Sequence, residues 1–495
     1  MRIRNLVFLG FIIYSVLMSW ACRRGENFAE SGVRLQFSAD TVYLDTVFTG
    51  VGSSTRVLKV YNPSRDAVLI DRIQLANGAQ SLFRMNVNGV SGNDVRNVEL
   101  LSEDSLYIFV EVTGNAQGTL ELLYEDSILF FNKDVKQWVN VVTLVRDAHF
   151  IFPNRYFSET EINYSVIPCD TSWNDAKPIV VYGYAVIDQG CLLTIENGAN
   201  VHFHKNSGLF VFNGGTLHVN PSDTVTPDYD NPVVFQGDRL EPFYRNIPGQ
   251  WGGPLGCIFV MGGSVNNIIN NAIIKNGTIG IVADSIDSPQ ANLRLYNTRI
   301  FNFSRAGIFG GYGSLKAQNI AVGNCGLYAF YALGGRYEFR HSTFANFWNQ
   351  SSRSTPAVGL FNFFESSLAS FEVRNIHQAY FGNCIIYGSN INELGIEQFP
   401  GTSINYNFRN CLLKVNPDTS ERNFPIAGNA RFIQPIVNPT SMNFEDITQN
   451  LFAPANAQQP AIGAGNIDDG TRVFFDIKGN PRTPLPDIGA YQFAP

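Results

Sequence analysis

Charge is what this sequence has least of. Only 16% of its 495 residues are Asp, Glu, Lys or Arg, against roughly 25% in an ordinary soluble domain. The net charge is −7 and no run of lysines or arginines occurs, so the electrostatic footprint of a nucleic-acid binder is missing. There are six histidines and seven cysteines, with no CxxC pair. That excludes the ligand spacing of common zinc modules and the density of a disulfide scaffold. Beyond the N-terminus, no stretch approaches about 18 uninterrupted apolar residues, so no later segment is expected to span a membrane.

Phenylalanine and glycine are abundant, at 39 and 44 residues. Low charge with many aromatics and turn formers predicts an all-β chain with a long core and many tight turns. The length exceeds that of a single ordinary domain.

The first residues, Met1-Arg2-Ile3-Arg4-Asn5, carry positive charge, and an apolar stretch runs from Leu6 to about Met18. Ser19-Trp20-Ala21-Cys22 follows, with a small residue directly before the cysteine. Charge, apolar core and small residue make a secretory signal. The apolar run is shorter than the roughly 20 residues of a membrane-spanning helix. This segment resembles a bacterial lipoprotein signal, although Trp20 departs from the small residue usual at its position. The resemblance implies removal of residues 1–21, lipidation of Cys22 and attachment to the cell envelope, with the outer membrane expected. The remaining cysteines, Cys169, Cys191, Cys257, Cys325, Cys384 and Cys411, permit disulfides by their even number. Burial as small hydrophobes is the expectation for most of them.

Residues 22–33 read as a tether. Over 34–148 short alternating segments recur between turn residues: Ser54 to Tyr61, Val68 to Leu75, Phe83 to Val87, Ser105 to Val112, Gly118 to Tyr124 and Trp138 to Val145. Regularly spaced short strands predict a sandwich. The stretch from Asp45-Thr46-Val47-Phe48 to Val60-Tyr61-Asn62 resembles the opening of an immunoglobulin-like module of bacterial surface proteins. That likeness implies a spacer or adhesion role, without the inter-sheet disulfide, since no Cys pair lies here.

An internal period marks the second half. The pattern Asn-x-x-aliphatic-x-Asn recurs, with variation, from Asn271, Asn297, Asn319, His341, Asn383 and Asn410. The steps are 26, 22, 22, 42 and 27 residues. A 22-residue unit suits three short strands and three turns, stacked coil on coil so that each buries the next. Two residues before each corner stand Ile269, Leu295, Ala317, Phe339, Phe381 and Phe408, and three after stand Ile274, Ile300, Val322, Phe344, Ile386 and Leu413. Both sets are expected to point inward by the period-2 alternation of strands. Asparagine at a corner tolerates left-handed backbone and can bond to its neighbours in adjacent coils. A ladder of asparagines, interrupted by His341, is therefore predicted.

With this period the chain resembles the right-handed parallel β-helix proteins of pectate-lyase-like architecture. The helix is placed at 175–430, after a connector and cap at 149–174. Gly249-Gln250-Trp251-Gly252-Gly253 and the run from Asn383 to Gly388 look like segments of β-helix lipoproteins. The C-terminal region, 431–495, contains Gln459 to Gly465, Gly479-Asn480-Pro481-Arg482 and Asp487-Ile488-Gly489-Ala490-Tyr491, which resemble a motif of bacterial β-helix surface proteins. It is expected to cap the open end of the stack. The resemblance implies an extracytoplasmic site and often a carbohydrate ligand, without fixing one reaction.

No catalytic set is assigned from the sequence, no metal site, and no cofactor. Asp284 and Asp287 flank a turn and read as a solvated loop. His202 and His204 share one face of a strand and lack a third ligand, so an outward polar row is expected. The 42-residue step inserts about 20 residues after Asn346, and excursions from a regular stack are where function tends to sit. There Trp348 offers a flat face for a sugar ring and Arg353 a forked donor for a carboxylate. Alternatively, this loop only packs over the stack. The expected partners are a membrane, through the lipid, and a polysaccharide. The favoured function is binding of a glycan or another surface partner, without catalysis. A polysaccharide lyase or glycoside hydrolase, and a structural stalk or adhesin, are the alternatives.

Overall fold

The computed structural model describes residues 27–494, apart from 117, 160, 222–228, 285–289, 368–369, 417–423 and 483. Cys22 and its signal therefore lie outside the described residues, as does Asp287. The chain divides into two compact units, residues 1–147 and 148–495.

The first unit is a two-sheet β-sandwich. One sheet orders the strands Gln36–Phe37, Arg56–Tyr61, Ser105–Val112, Phe83–Val87 and Val90–Ser91. The other orders Thr41–Tyr43, Val135–Arg146, Glu121–Asn132, Val68–Leu75 and Asp94–Leu100, with Val47–Phe48 beside Val135–Arg146. Alternation does the work: Leu58, Val60, Ile70, Ile73, Ile108 and Val110 are all buried in one core between the sheets. The turn after Tyr61 is held by Asn62, whose buried amide donates to the carbonyls of Asp66 and Leu101.

The second unit is a parallel β-helix with three sheets of eleven, ten and ten strands. The first sheet runs from His149–Ile151 to Ile436–Val437 and the second from Arg155–Phe157 to Leu394–Glu397. The third runs from Thr171–Trp173 to Phe432–Ile433. Pairing is parallel throughout except between Arg155–Phe157 and Ile162–Val166. The first and third sheets extend outside 175–430 because strands of two or three residues, too short to show a period, continue them.

The corner residues adopt the backbone their chemistry allows. Asn271, Asn297, Asn319, His341, Asn383 and Asn410 all have positive φ, between 45° and 54°. Asn297 donates to Asn270 Oδ1 at 2.9 Å, and Asn319 to Asn297 Oδ1 at 3.1 Å. A second ladder forms at the other end of these strands, where Asn302 donates to Asn276 Oδ1 at 2.6 Å. The residues two before and three after each corner are inside, none more than 1% exposed. Within the core, Phe339, Phe381, Phe408 and Phe432 stack at 5.1, 4.7 and 5.2 Å. Each buried ring stabilises by about 1.5–3 kcal/mol, with stacking adding roughly 0.5–1.5.

Trp251 is fully buried against Phe203 at 4.3 Å and donates to the Lys275 carbonyl. Gly252 makes this possible: its φ is +91°, and a Cβ there would stand 2.4 Å from the Cys257 sulfur. Cys169 and Cys191 form a disulfide, while Cys257, Cys325, Cys384 and Cys411 are buried thiols.

Among the described residues, the C-terminal segment folds back along the outer side of the first sheet, where Met442, Phe444, Phe452, Ile477, Ile488 and Tyr491 cover Ala321, Ala345, Ile385 and Leu412. The reason is the apolar character of those outward positions, which need a cover as much as the end does.

Candidate functional site

The excursion after Asn346 is two insertions separated by a strand of the stack. A loop over 347–357 leads into Val358–Phe361, and a hairpin of Phe363–Ser367 and Ser370–Val373 follows before Ile376–Gly382 rejoins the third sheet.

Arg353 lies in the first insertion and faces inward. Its side chain is 1% exposed and its two terminal nitrogens hold both oxygens of Glu393, at 2.9 and 2.7 Å. It also donates to the carbonyls of Asn346 and Thr355. Glu393 is fully buried and accepts from the backbone of Ala357 and Asn390. Burial raises its carboxyl pKa, and the Arg353 guanidinium works against that rise. The fork expected to meet an external carboxylate is thus occupied by an internal one, because two charges removed from water must pair. Trp348 is half-buried beside Gly326, with its indole N–H on Ser351 Oγ at 2.9 Å.

The second insertion walls a groove on the outer side of the second sheet. The register there runs Phe210, Phe259, Val282, Phe309, Tyr331, Gly359 and Gly395, one residue per coil. The groove encloses about 500 Å³, between Phe309, Tyr328 and Tyr331 on the sheet, Phe364 and Arg374 on the hairpin, and Arg305 at the rim. Phe309 stacks on Tyr331 at 5.4 Å, Tyr331 meets Tyr328 at 4.9 Å, and Phe361 lies 5.3 Å beyond. Gly359 leaves room for this ring, since a Cβ there would come within 2.4 Å of Phe361.

Phenol hydroxyls and the guanidinium groups of Arg305 and Arg374 give the groove its polar contacts. Burial, reinforced by nearby Tyr331 and Glu397, pushes the Tyr328 phenol up to about 12. Tyr331 is raised too, by burial and by Glu397. Both stay protonated donors. Arg374 donates to Glu372 at 2.6 Å and lies over the Phe364 ring. Among the described residues that line the groove none is Asp or Glu, while Glu397 lies close enough to act on Tyr328 and Tyr331.

The two strand histidines part company. His202 is buried with Nδ1 on the Gly237 carbonyl at 3.1 Å, so the expected outward row is not formed. His204 lies past the strand end, half-exposed, with Nδ1 2.7 Å from Asp238 and its ring stacked 4.6 Å from Tyr182. Burial raises the Asp238 carboxyl pKa, against the effect of His204. Asp284 ends the strand Ile279–Asp284. Among the described residues no group of three His, Cys, Asp or Glu is gathered for a metal.

Sequence reasoning missed Phe309 and Tyr331. They stand twelve residues after Asn297 and Asn319, so carrying the period through to the second sheet would have found them.

No protein-family profile matches the chain, and no curated protein does. Among solved structures, a Vibrio cholerae VesB protease aligns at 12% identity over 23% of this chain and 31% of its own, with a TM-score of 0.17. A family 123 glycoside hydrolase from Clostridium perfringens aligns at 7% identity over 28% and 30%, TM-score 0.19. The chain thus spans about a third of the length of either. The catalytic domain of a GH87 α-1,3-glucanase in complex with nigerose aligns at 10% identity over 74% of this chain and 81% of its own, TM-score 0.21. Scores this low carry no argument about activity. The stacked parallel sheets define the class by themselves: a parallel β-helix.

Proposed function

We propose that this is a lipid-anchored cell-envelope protein that holds a glycan in the groove over the second sheet without turning it over. The observation that carries the reading is the set of rings from Phe309 to Tyr331 and Tyr328, open on a 500 Å³ groove that no carboxylate among the described residues lines. Flat apolar faces receive the C–H side of a sugar, and phenol hydroxyls at the edge take its hydroxyls. The N-terminal sandwich would serve as an immunoglobulin-like spacer. Tyr331→Ala removes the central ring from an outward position. Titration calorimetry against a panel of neutral and acidic oligosaccharides should show about tenfold weaker binding for the variant. New absorbance at ~235 nm from an unsaturated sugar, or new reducing ends, would mean turnover and end the non-catalytic reading.

One observation favours an enzyme instead. Asp238 holds His204 by Nδ1, which leaves Nε2 as a base on an exposed imidazole. Any turnover found should then vanish in His204→Ala.

A further inference from the structure

A second groove lies on the opposite side of the asparagine ladder from the first sheet's strands, and its chemistry differs from that of the aromatic one. It encloses about 540 Å³ between the outer side of the third sheet and the segment from Arg472 to Phe475. Arg294 and Tyr296 come from the strand Leu293–Tyr296, and Gln318 from Ser314–Gln318. The ladder amides of Asn297 and Asn319 form the floor.

These amides are already committed. Asn319 donates to Asn297 and to the Phe475 carbonyl, and its oxygen accepts from Arg482 at 2.9 Å. The ladder thus fixes the wall carrying Phe474 and Phe475 and leaves the groove's open chemistry to Arg294, Arg472 and Gln318.

Arg294 and Arg472 have no acidic partner among the described residues, whereas the carboxylates around them are taken. Asp469 is held by Arg340 and by the Tyr380 hydroxyl at 2.8 Å, and Asp468 by Arg409 at 3.1 Å. Glu338 pairs with Arg340 at 2.9 Å and lies 3.8 Å from Lys316. Lys316, the register neighbour of Arg294 in the next coil, is thereby paired with Glu338 and leaves the groove to the two arginines. In a chain of net charge −7 with few charges of any kind, a local surplus of guanidinium groups in a concave site is specific. Two forks call for planar or tetrahedral oxyanions. The volume exceeds what a bare ion fills, and the half-exposed Phe474 ring beside Tyr296 supplies flat apolar surface.

We infer that this groove binds a saccharide carrying carboxylate or sulfate groups, through Arg294 and Arg472. It is separate from the aromatic groove and does not depend on it.

The test uses the full chain carrying Tyr331→Ala, which disables the aromatic groove. Titration calorimetry at low salt compares tetragalacturonate as the carboxylate probe, a sulfated galactan tetrasaccharide as the sulfate probe, maltotetraose as the neutral probe, and inorganic sulfate alone. Binding of at least one anionic tetrasaccharide is expected, weakened about tenfold by Arg294→Gln or by Arg472→Gln and abolished by both. Raising salt to 300 mM should weaken it further. Neither side chain takes part in the ladder, so the variants keep the fold, which circular dichroism and an unchanged melting temperature verify. Whichever tetrasaccharide binds tells carboxylate from sulfate. Equal binding of maltotetraose, equal binding of inorganic sulfate alone, full affinity in the double variant, or no binding to any probe would each overturn the inference.

Discussion

His341 is the one corner where an imidazole replaces an asparagine. It keeps the left-handed backbone, with φ of 45°. Its Nε2 accepts from the Asn383 amide at 2.9 Å, which places the ring proton on a buried Nδ1. Burial first, then the charge of Arg482, hold its pKa well below the ordinary value; the backbone at Asp487 and Gly489 opposes this, and Arg340 adds a lesser push down. The sign follows from linkage. The folded imidazole stays neutral while the unfolded one takes a proton below about pH 6.5. Stability is therefore full above that pH and falls below it, by at most about 1.4 kcal/mol per pH unit. Urea midpoints at pH 7.5 and pH 5.0 should differ less in His341→Asn, which restores the ladder residue, than in the native chain. Glu393 and Asp487, whose pKa values burial raises, titrate in both proteins and cancel in the comparison. Identical pH slopes would sink this account.

The ladder is the element that translates sequence period into coil geometry. Asn297 sits at φ 48° and bonds to the coil before and the coil after. Asn297→Ala loses both bonds and puts a Cβ into left-handed backbone, costing about 2–4 kcal/mol. Asn297→Gly loses the bonds but not the backbone tolerance, so denaturant titration should find it less destabilised than the alanine variant. If alanine is tolerated as well as glycine, the corner conformation does not govern the choice of residue. This ladder was legible because a positive φ narrows the residue menu at one position, whatever the distant chain does. The excursion after Asn346 was legible as a break in the period. What Arg353 does there was not: its partner Glu393 lies forty residues on, and nothing local to either residue says that they meet.

At the scale of the whole second unit, the outer side of the first sheet is a second apolar interface. Ala321, Ala345, Ile385 and Leu412 are covered by residues from Met442 to Tyr491, and the buried Arg482 fixes that cover to the ladder through Asn319 and the Gly489 carbonyl. Each large covering side chain contributes up to about 1.5–3 kcal/mol, an upper bound since the unfolded chain hides part of this surface. A chain ending after Asn438 should expose the face, bind a hydrophobic dye and self-associate in sedimentation. A truncated protein that stays monomeric and dye-free would show that the cover is dispensable.

The sequence alone determined the all-β class, the coil period and its inward residues. These follow from backbone conformations and side-chain alternation that each residue meets in its own few neighbours. Tertiary structure decided the rest: that Arg353 turns inward, that His202 is buried, that the C-terminal segment lines a sheet, and that rings from successive coils make a groove. Those outcomes depend on which distant groups stacking brings within a few ångströms. There burial compels charges to pair and apolar faces to find cover, and neither demand is visible along the chain.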